Sequence, residues 1–181
     1  GCTGKDDRLV KMKPAPSIWI DGITDICYND SLHLAANSAD SITYYKWDNG
    51  PSTVEMDALP KFSSKYRVTG TGANGCTSSA VADVNVWNLP IINVSGDPAV
   101  CENTEAHLKA SGDAEIFYWE GSTLGAEYNP IVPKDTTYYV EGTDSNGCTN
   151  RAYIKVKAIP YPEIKITGDS VVCYGTFHQL V

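Results

Sequence analysis

Short alternations of apolar and polar residues, separated by turn residues, run along the chain. The first complete set of these alternations lies at 17–20, 31–35, 42–47, 54–59, 66–68 and 81–87. Turn residues stand between them, as at Asp21-Gly22 and Asn74-Gly75, and Asn-Gly between two apolar runs is a strong hairpin signal. No stretch of ten or more residues has the apolar period of a helix. The pattern predicts an all-β protein built from short strands.

The same pattern then recurs at a fixed period. Cysteines stand at 2, 27, 76, 101, 148 and 173, so the gaps between them are 25, 49, 25, 47 and 25 residues. Pro16, Pro90 and Pro162 occupy equivalent positions, 74 and then 72 residues apart. A fixed period of this length indicates a tandem array. We predict the last strand of one repeat at 1–14, complete repeats at 15–88 and 89–160, and the start of another at 161–181.

Each repeat of about 73 residues resembles an immunoglobulin-like sandwich in its strand count and aromatic positions. It has about seven short strands, with a tryptophan on the third (Trp47, Trp119) and a tyrosine on the sixth (Tyr66, Tyr138). Proline lies in both linkers and stiffens them. We therefore expect tandem immunoglobulin-like β-sandwich repeats arranged as an end-to-end rod.

Charge and hydropathy narrow the range of partners. The 14 basic and 22 acidic residues give a net charge of -8, which disfavours binding to nucleic acid and to anionic membranes. No apolar run approaches the length of a membrane span, so we expect no membrane insertion. Cys2 lies in a Gly-Cys-Thr motif that recurs at 75–77 and 147–149, which indicates a strand residue and not a lipid anchor. Targeting segments are expected outside this stretch.

Six cysteines at repeated positions indicate a disulfide framework, and hence an oxidising compartment outside the cytoplasm. The candidates are Cys27, Cys76, Cys101 and Cys148, with Cys2 and Cys173 bonded to partners outside this stretch. One pairing lies within each repeat, Cys27 with Cys76 and Cys101 with Cys148. The other crosses the junction, Cys27 with Cys148, because the two cysteines of one sandwich would lie at opposite ends. We place the within-repeat pairing first, since it needs no particular junction geometry. Cysteines that are 25 residues apart in the sequence cannot bond each other, because a strand and a junction separate them.

The second repeat carries a recognisable series of motifs. Cys101-x5-His-Leu-Lys-Ala is followed by Tyr-Trp and by Tyr139-Val-Glu-Gly-Thr-x2-Asn-Gly-Cys-Thr. This series resembles the immunoglobulin-like repeats of large secreted surface proteins in the Bacteroidetes, including gliding-motility adhesins and substrates of the type IX secretion system. The resemblance implies an extended stalk or filament at the cell surface, exported with a sorting domain that lies elsewhere. It also implies O-glycosylation at Asp-Ser/Thr motifs, whose acceptors here are Ser31, Ser41, Thr136 and Ser170.

Catalytic motifs are missing from the sequence. There is no Gly-x-Ser-x-Gly, no His-Glu-x-x-His and no phosphate-binding glycine loop, so we expect no catalytic residue and no enzyme. His33 and His107 share one slot beside core leucines, which favours outward-facing surface residues over a metal pair. Acidic turns recur at 21–22, 96–97 and 168–169. Calcium is a minor alternative there, because Gly and Asp form such turns without a metal, and we expect no cofactor.

Trp19 and Trp87 differ from the other tryptophans because their equivalents in the other repeats are not aromatic. They fit either a platform for stacking on sugar or packing at a domain junction, and we favour the junction.

Three functions remain open from the sequence. The leading hypothesis is a non-catalytic stalk or filament segment of a cell-surface adhesin, whose partners are neighbouring repeats. The alternative is a carbohydrate- or surface-binding accessory module of a secreted polysaccharide-degrading enzyme, with a glycan or a surface as ligand. The third is a polymer subunit whose self-association uses edge strands or cysteines.

Overall fold

The protein is built from strands alone. The computed structural model describes Gly4, residues 8–167 and Tyr174, and these residues form seventeen strands and no helix. The predicted all-β class is therefore confirmed. The chain folds into two compact units. The first comprises Gly1–Pro90 with Asp144–Thr149, and the second comprises Ile91–Thr143 with Asn150–Val181.

The first unit contains two sheets. Its strands are β1 (Ile18–Gly22), β2 (Asp25–Cys27), β3 (Leu32–Ser38), β4 (Ile42–Trp47), β5 (Glu55–Ala58), β6 (Ser64–Gly72) and β7 (Thr77–Trp87). One sheet has the order β1-β3-β5 and the other the order β2-β7-β6-β4. The strand β2 runs parallel to its neighbour, β7, and the other pairs described in this unit are antiparallel. Two sheets with these strand orders, in which the short strand β2 joins β7 at the edge of the second sheet, form an immunoglobulin-like sandwich.

Alternating side chains of both sheets meet in one core. Leu32 and Leu34 come from β3, and Trp47, Val68 and Val84 come from the other sheet, and all five belong to one buried cluster. Each of these side chains is almost fully removed from water, and burial of one large apolar side chain contributes about 1.5–3 kcal/mol. Trp47, the tryptophan of the predicted third strand, is thus a core residue.

The second unit has the same arrangement with shorter strands. They are β8 (Ile92–Gly96), β9 (Ala99–Cys101), β10 (Thr104–Glu105), β11 (Leu108–Gly112), β12 (Ile116–Trp119), β13 (Thr123–Leu124), β14 (Glu127–Tyr128), β15 (Ile131–Val132), β16 (Thr136–Thr143) and β17 (Thr149–Ile159). The sheets have the orders β14-β11-β8 and β13-β12-β16-β17-β9, and β10 pairs with β15. Again the short strand β9 runs parallel to the last strand, β17.

The core of the second unit is centred on Trp119. It is fully buried and stacks on Tyr128, with the ring centroids 5.4 Å apart. Tyr128 in turn meets Tyr138 edge to face at 5.8 Å. Leu108 and Val140 complete the apolar surroundings. Trp119, the equivalent of Trp47, is therefore a core residue, and Tyr138 on β16 is buried with it.

Candidate functional site

The cysteines form one disulfide among the described residues. Cys27 and Cys148 are bonded, with their Cα atoms 5.5 Å apart and 121 residues between them along the chain. Cys76 and Cys101 are free thiols. The pairing within each repeat, which the sequence placed first, is therefore wrong, and the pairing that joins Cys27 to Cys148 is present. Cys2 and Cys173 lie outside the described residues.

Strand geometry explains why the pairing within a repeat fails. Cys27 ends β2, and the register of β2 against β7 places it beside Trp87. Cys76 comes just before β7, whose first residue is Thr77. A strand rises roughly 3.3 Å per residue, so the two cysteines are separated by about 35 Å along β7. Cα atoms joined by a disulfide lie within roughly 7 Å of each other.

Hydrogen bonds fix the backbone on both sides of the disulfide. The Cys27 N–H donates to Asp30 Oδ2 over 3.3 Å, and the Asp30 N–H donates to the Cys27 carbonyl over 2.9 Å. The Cys148 N–H donates to Asp144 Oδ1 over 2.9 Å, and the Cys148 side chain is fully buried. The turn 144–149 thus presents its cysteine with fixed direction, and it packs as part of the first unit.

A cavity of about 520 Å³ opens beside Cys27 in the first unit. Ile23 and Ile26 give it an apolar wall, and Asp25, Asp30 and His33 line its polar side. Asp25 is already engaged, because its Oδ1 accepts a hydrogen bond from Trp87 Nε1 over 3.3 Å. In the described part of the chain no three His, Cys, Asp or Glu side chains are grouped closely enough to hold a metal.

His33 and His107 both face outward, as predicted, and each has its own carboxylate partner. His33 Nδ1 lies 2.7 Å from Asp57 Oδ1, and His107 Nδ1 lies 3.1 Å from Asp97 Oδ2. The hydrogen bond to Asp57 raises the pKa of His33 above its ordinary value. A raised pKa adds stability below the unfolded-state pKa, and this is lost as the pH rises through the folded-state pKa. The His33 pair is exposed, so this contribution is small.

The acidic turns use their carboxylates within the protein. Asp21 Oδ2 accepts hydrogen bonds from Asn37 Nδ2 over 2.8 Å and from Trp19 Nε1 over 3.3 Å. Asp97 Oδ2 accepts from the His107 N–H over 2.9 Å, and this backbone bond, followed by the side-chain bond, lowers the pKa of Asp97. The turn at 168–169 lies outside the described residues. Calcium at these turns stays the minor alternative that the sequence leaves open.

Trp19 and Trp87 keep part of their surface open to solvent. Their exposed fractions are 43% and 39%, and each indole N–H donates to an aspartate on its own unit, Asp21 for Trp19 and Asp25 for Trp87. Hydrogen bonds of this kind orient the two rings. Both interpretations made from the sequence, a junction contact and a sugar platform, stay predictions.

Sequence reasoning missed an aromatic surface on the second unit, which we call the tyrosine face: Tyr139, Glu141, Arg151 and Tyr153. The Tyr139 and Tyr153 rings lie 6.2 Å apart, and Arg151 Cζ lies 5.2 Å from the Tyr139 ring centre. Arg151 Nε donates to Glu141 Oε2 over 2.8 Å. The available signal was the alternation along β16 and β17, which points residues 139 and 141 and residues 151 and 153 away from the core.

The predicted O-glycosylation acceptors differ in accessibility. Ser31 and Ser41 are exposed, whereas Thr136 is half-buried and its hydroxyl donates to the Lys134 carbonyl over 2.7 Å. Ser170 lies outside the described residues. Modification of these residues stays a prediction.

No described segment is a helix of the length and apolar character needed to cross a membrane.

Comparison with known proteins gave no matching family model and no matching curated protein. Among solved structures, a 1.5-MDa bacterial ice-binding adhesin aligns with 13% identity and a TM-score of 0.41, over 82% of this chain and 66% of that one. Three N-terminal domains of the highly immunogenic outer capsid protein of bacteriophage RB49 align with 16% identity and a TM-score of 0.39, over 80% of this chain and 59% of that one.

A third similar structure is SGBP-B of the Bacteroides ovatus mixed-linkage glucan utilization locus, solved with a mixed-linkage heptasaccharide. It aligns with 15% identity and a TM-score of 0.29, over 74% of this chain and 42% of that one. This chain therefore spans less than two thirds of each of these three structures. The immunoglobulin-like assignment rests on the strand order of each unit.

Proposed function

We propose that this chain is a structural segment of a stalk or filament in a large, secreted adhesin at a bacterial cell surface. In this proposal the repeats follow one another end to end, and the segment carries no catalysis. The whole adhesin leaves the cell by type IX secretion and serves attachment or gliding. The partners of the segment are the neighbouring repeats.

The disulfide between Cys27 and Cys148 carries this proposal. Cys27 belongs to the predicted repeat 15–88 and Cys148 to the next one, 89–160, so the bond ties one repeat covalently to its successor in the sequence. Tension along an array loads the connection between successive repeats, and a covalent tie protects that connection. Closing a loop of 121 residues also stabilises the folded chain by about 5 kcal/mol in the chain-entropy model.

Surface chemistry supports a structural role over a catalytic one. His33 and His107 form exposed pairs with Asp57 and Asp97, and such pairs contribute little to stability. Within the described part of the chain, neither pair is joined by a hydrogen bond to a serine, threonine or cysteine side chain that would act as nucleophile. Nucleophilic catalysis needs this contact between base and nucleophile.

Small-angle X-ray scattering of the oxidised chain tests the stalk. We expect one elongated particle whose distance distribution is narrow, and a broader distribution for the double variant Cys27→Ser/Cys148→Ser. The matched control is Cys76→Ser/Cys101→Ser, which alters two free thiols and should scatter like the parent chain measured as a monomer. Scattering by freely jointed domains in the oxidised parent chain would contradict the proposal.

The tyrosine face favours a second candidate, a carbohydrate- or surface-binding accessory module of a secreted polysaccharide-degrading enzyme. The exposed Tyr153 ring and the half-buried Tyr139 ring, beside Arg151 and Glu141, offer both stacking and hydrogen bonding to a sugar. A glycan array separates the two candidates. Binding that is lost in Tyr153→Ala or Trp19→Ala supports the module, and no binding by the parent chain removes it.

A further inference from the structure

Two thiols in the described part of the chain are free, those of Cys76 and Cys101. The Cys101 residue is exposed and Cys76 is half-buried. Because the chain is an internal repeat, each free cysteine has an equivalent in the other repeat: Cys148 for Cys76, and Cys27 for Cys101. These equivalents are the two partners of the disulfide. The bonded pair therefore shows which local geometry forms a disulfide in this repeat.

The turn that holds Cys76 matches the turn that holds Cys148. The preceding glycines, Gly75 and Gly147, have φ values of 83° and 82°. In both turns the cysteine N–H donates to a side-chain oxygen, over 3.0 Å to Asn74 and over 2.9 Å to Asp144. The cysteine carbonyls also accept equivalent backbone bonds of 2.9 and 3.0 Å. Cys76 is thus presented by the same backbone that presents the bonded Cys148.

Cys101 matches Cys27 equally well. Each ends a three-residue strand that runs parallel to the last strand of its unit, Cys27 beside Trp87 and Cys101 beside Ile159. The N–H of the next residue donates to the carbonyl of that partner, over 2.8 Å in the first unit and 2.9 Å in the second. The second residue after each cysteine is an asparagine with positive φ, 73° and 59°.

We propose that Cys76 and Cys101 are half-sites of further disulfides of the Cys27–Cys148 type that continue along the array, an inference that rests on the proposed stalk. The existing bond joins the strand cysteine of one repeat to the turn cysteine of its successor. By this rule Cys101 bonds the turn cysteine of the repeat that follows its own, and Cys76 bonds the strand cysteine of the repeat that precedes its own. Two copies of this chain reproduce such a junction head to tail, because one copy supplies Cys101 and the next supplies Cys76.

Bond formation needs an oxidant, and a small disulfide such as oxidised glutathione supplies it. The exposed Cys101 thiolate attacks the oxidant, releases one thiol and holds the other half as a mixed disulfide. The Cys76 thiolate then attacks the Cys101 sulfur and releases the second thiol. The two protein thiols lose two protons and two electrons in total, and the oxidant is reduced to two thiols. Cys76 reacts second, because its Sγ lies 3.8 Å from the Lys13 carbonyl and that segment must move aside.

Complementary single variants test the pairing. In a Cys2→Ser/Cys173→Ser background, Cys76→Ser leaves Cys101 as the sole free thiol, and Cys101→Ser leaves Cys76. Each variant is incubated with a glutathione redox buffer, alone and mixed with the other. We expect the mixture to give a covalent one-to-one dimer that is lost when either variant is alone. Non-reducing peptide mapping should find the cross-link between Cys76 and Cys101.

Peptide mapping of the same samples also serves as the folding control, because the Cys27–Cys148 peptide must persist in every variant. Dimers joined through Cys101 and Cys101, or through Cys76 and Cys76, at the yield of the mixture would overturn the proposal. Glutathione adducts on both thiols without any cross-link would overturn it as well. Neither result bears on the stalk, whose test is the scattering of the monomeric oxidised chain.

Discussion

At the scale of single residues, the two buried tryptophans occupy equivalent positions but differ in the hydrogen bonding of their indole N–H groups. Trp47 Nε1 donates to the Thr53 carbonyl over 3.1 Å. Trp119 Nε1 is buried and has no hydrogen-bond partner among the described residues. The equivalent of Thr53 in the second repeat is Gly125, which follows β13 (Thr123–Leu124) and whose N–H donates to the Phe117 carbonyl over 3.0 Å. A buried unpaired N–H costs about 1–3 kcal/mol.

The two tryptophans can be compared by the same substitution. Trp47→Phe removes ring volume and a hydrogen bond, whereas Trp119→Phe removes ring volume together with an N–H that has no partner. We expect Trp119→Phe to lower the free energy of unfolding less than Trp47→Phe, by about 1–3 kcal/mol. Urea denaturation of both variants measures the difference. Equal losses, or a larger loss for Trp119→Phe, would contradict this account.

At the scale of elements, a repeated glycine sets how closely the two sheets of each unit approach. Gly70 lies within β6 and Gly142 within β16. A Cβ on Gly142 would lie 2.7 Å from both Ile92 Cδ1 and Ala114 Cβ, and one on Gly70 would overlap Ile18 Cδ1. Since Ile18 and Ile92 belong to the facing sheet, these glycines make room for the first strand of the sandwich.

Alanine at either glycine should therefore overpack the sandwich. We expect Gly70→Ala and Gly142→Ala each to lower the free energy of unfolding by about 1–3 kcal/mol. Ile18→Val removes the methyl group that obstructs Gly70→Ala, so the double variant should recover most of that loss. Ile92→Val should rescue Gly142→Ala only in part, because Ala114 Cβ remains. Thermal unfolding measured as a double-mutant cycle checks both pairs, and simple additivity would count against the close approach.

The sequence predicted the strands that are defined by a local pattern of apolar residues, and it missed those that depend on tertiary contacts. The alternation at 42–47 matches β4 (Ile42–Trp47), because its apolar positions pack locally on the core. The predicted strand 66–68 stops short of Gly70, yet β6 runs from Ser64 to Gly72, since this glycine serves a close approach between sheets that no local pattern records. The three-residue strands β2 and β9 were not predicted. They form through parallel pairing with β7 and β17, which is a tertiary contact.

At the scale of the whole molecule, the failure to predict strand β2 from the sequence also explains why the wrong disulfide pairing was placed first. Once β2 is known to pair with the far end of β7, Cys27 is out of reach of Cys76. The repeat period and the opposite-ends argument correctly kept the pairing with Cys148 open. The sequence could not decide whether Cys27 bonds Cys76 or Cys148, because the answer depends on the register of β2, a strand too short to carry a periodic signal.

Pulling on the two ends of the chain gives a direct measure of this connection. With the disulfide intact, the 121-residue loop cannot extend, and at roughly 3.5 Å per residue this withholds about 420 Å of contour length. We expect single-molecule force spectroscopy of the oxidised chain to stop short of full extension by that amount. Added reductant, or Cys27→Ser/Cys148→Ser, should release it. Full extension of the oxidised parent chain would show that the bond does not form.

The order of the cysteines also decides what a protease can achieve. A single cut at any peptide bond between Cys27 and Cys148 leaves the two pieces joined through the disulfide. Exposed apolar residues between them, such as Phe62 and Leu124, therefore make poor targets for severing the chain, because cleavage there nicks the protein without separating its halves. With this arrangement, a chain cut by a secreted protease stays in one piece wherever the cut falls between the two cysteines. A disulfide confined to one repeat would give this protection only within that repeat.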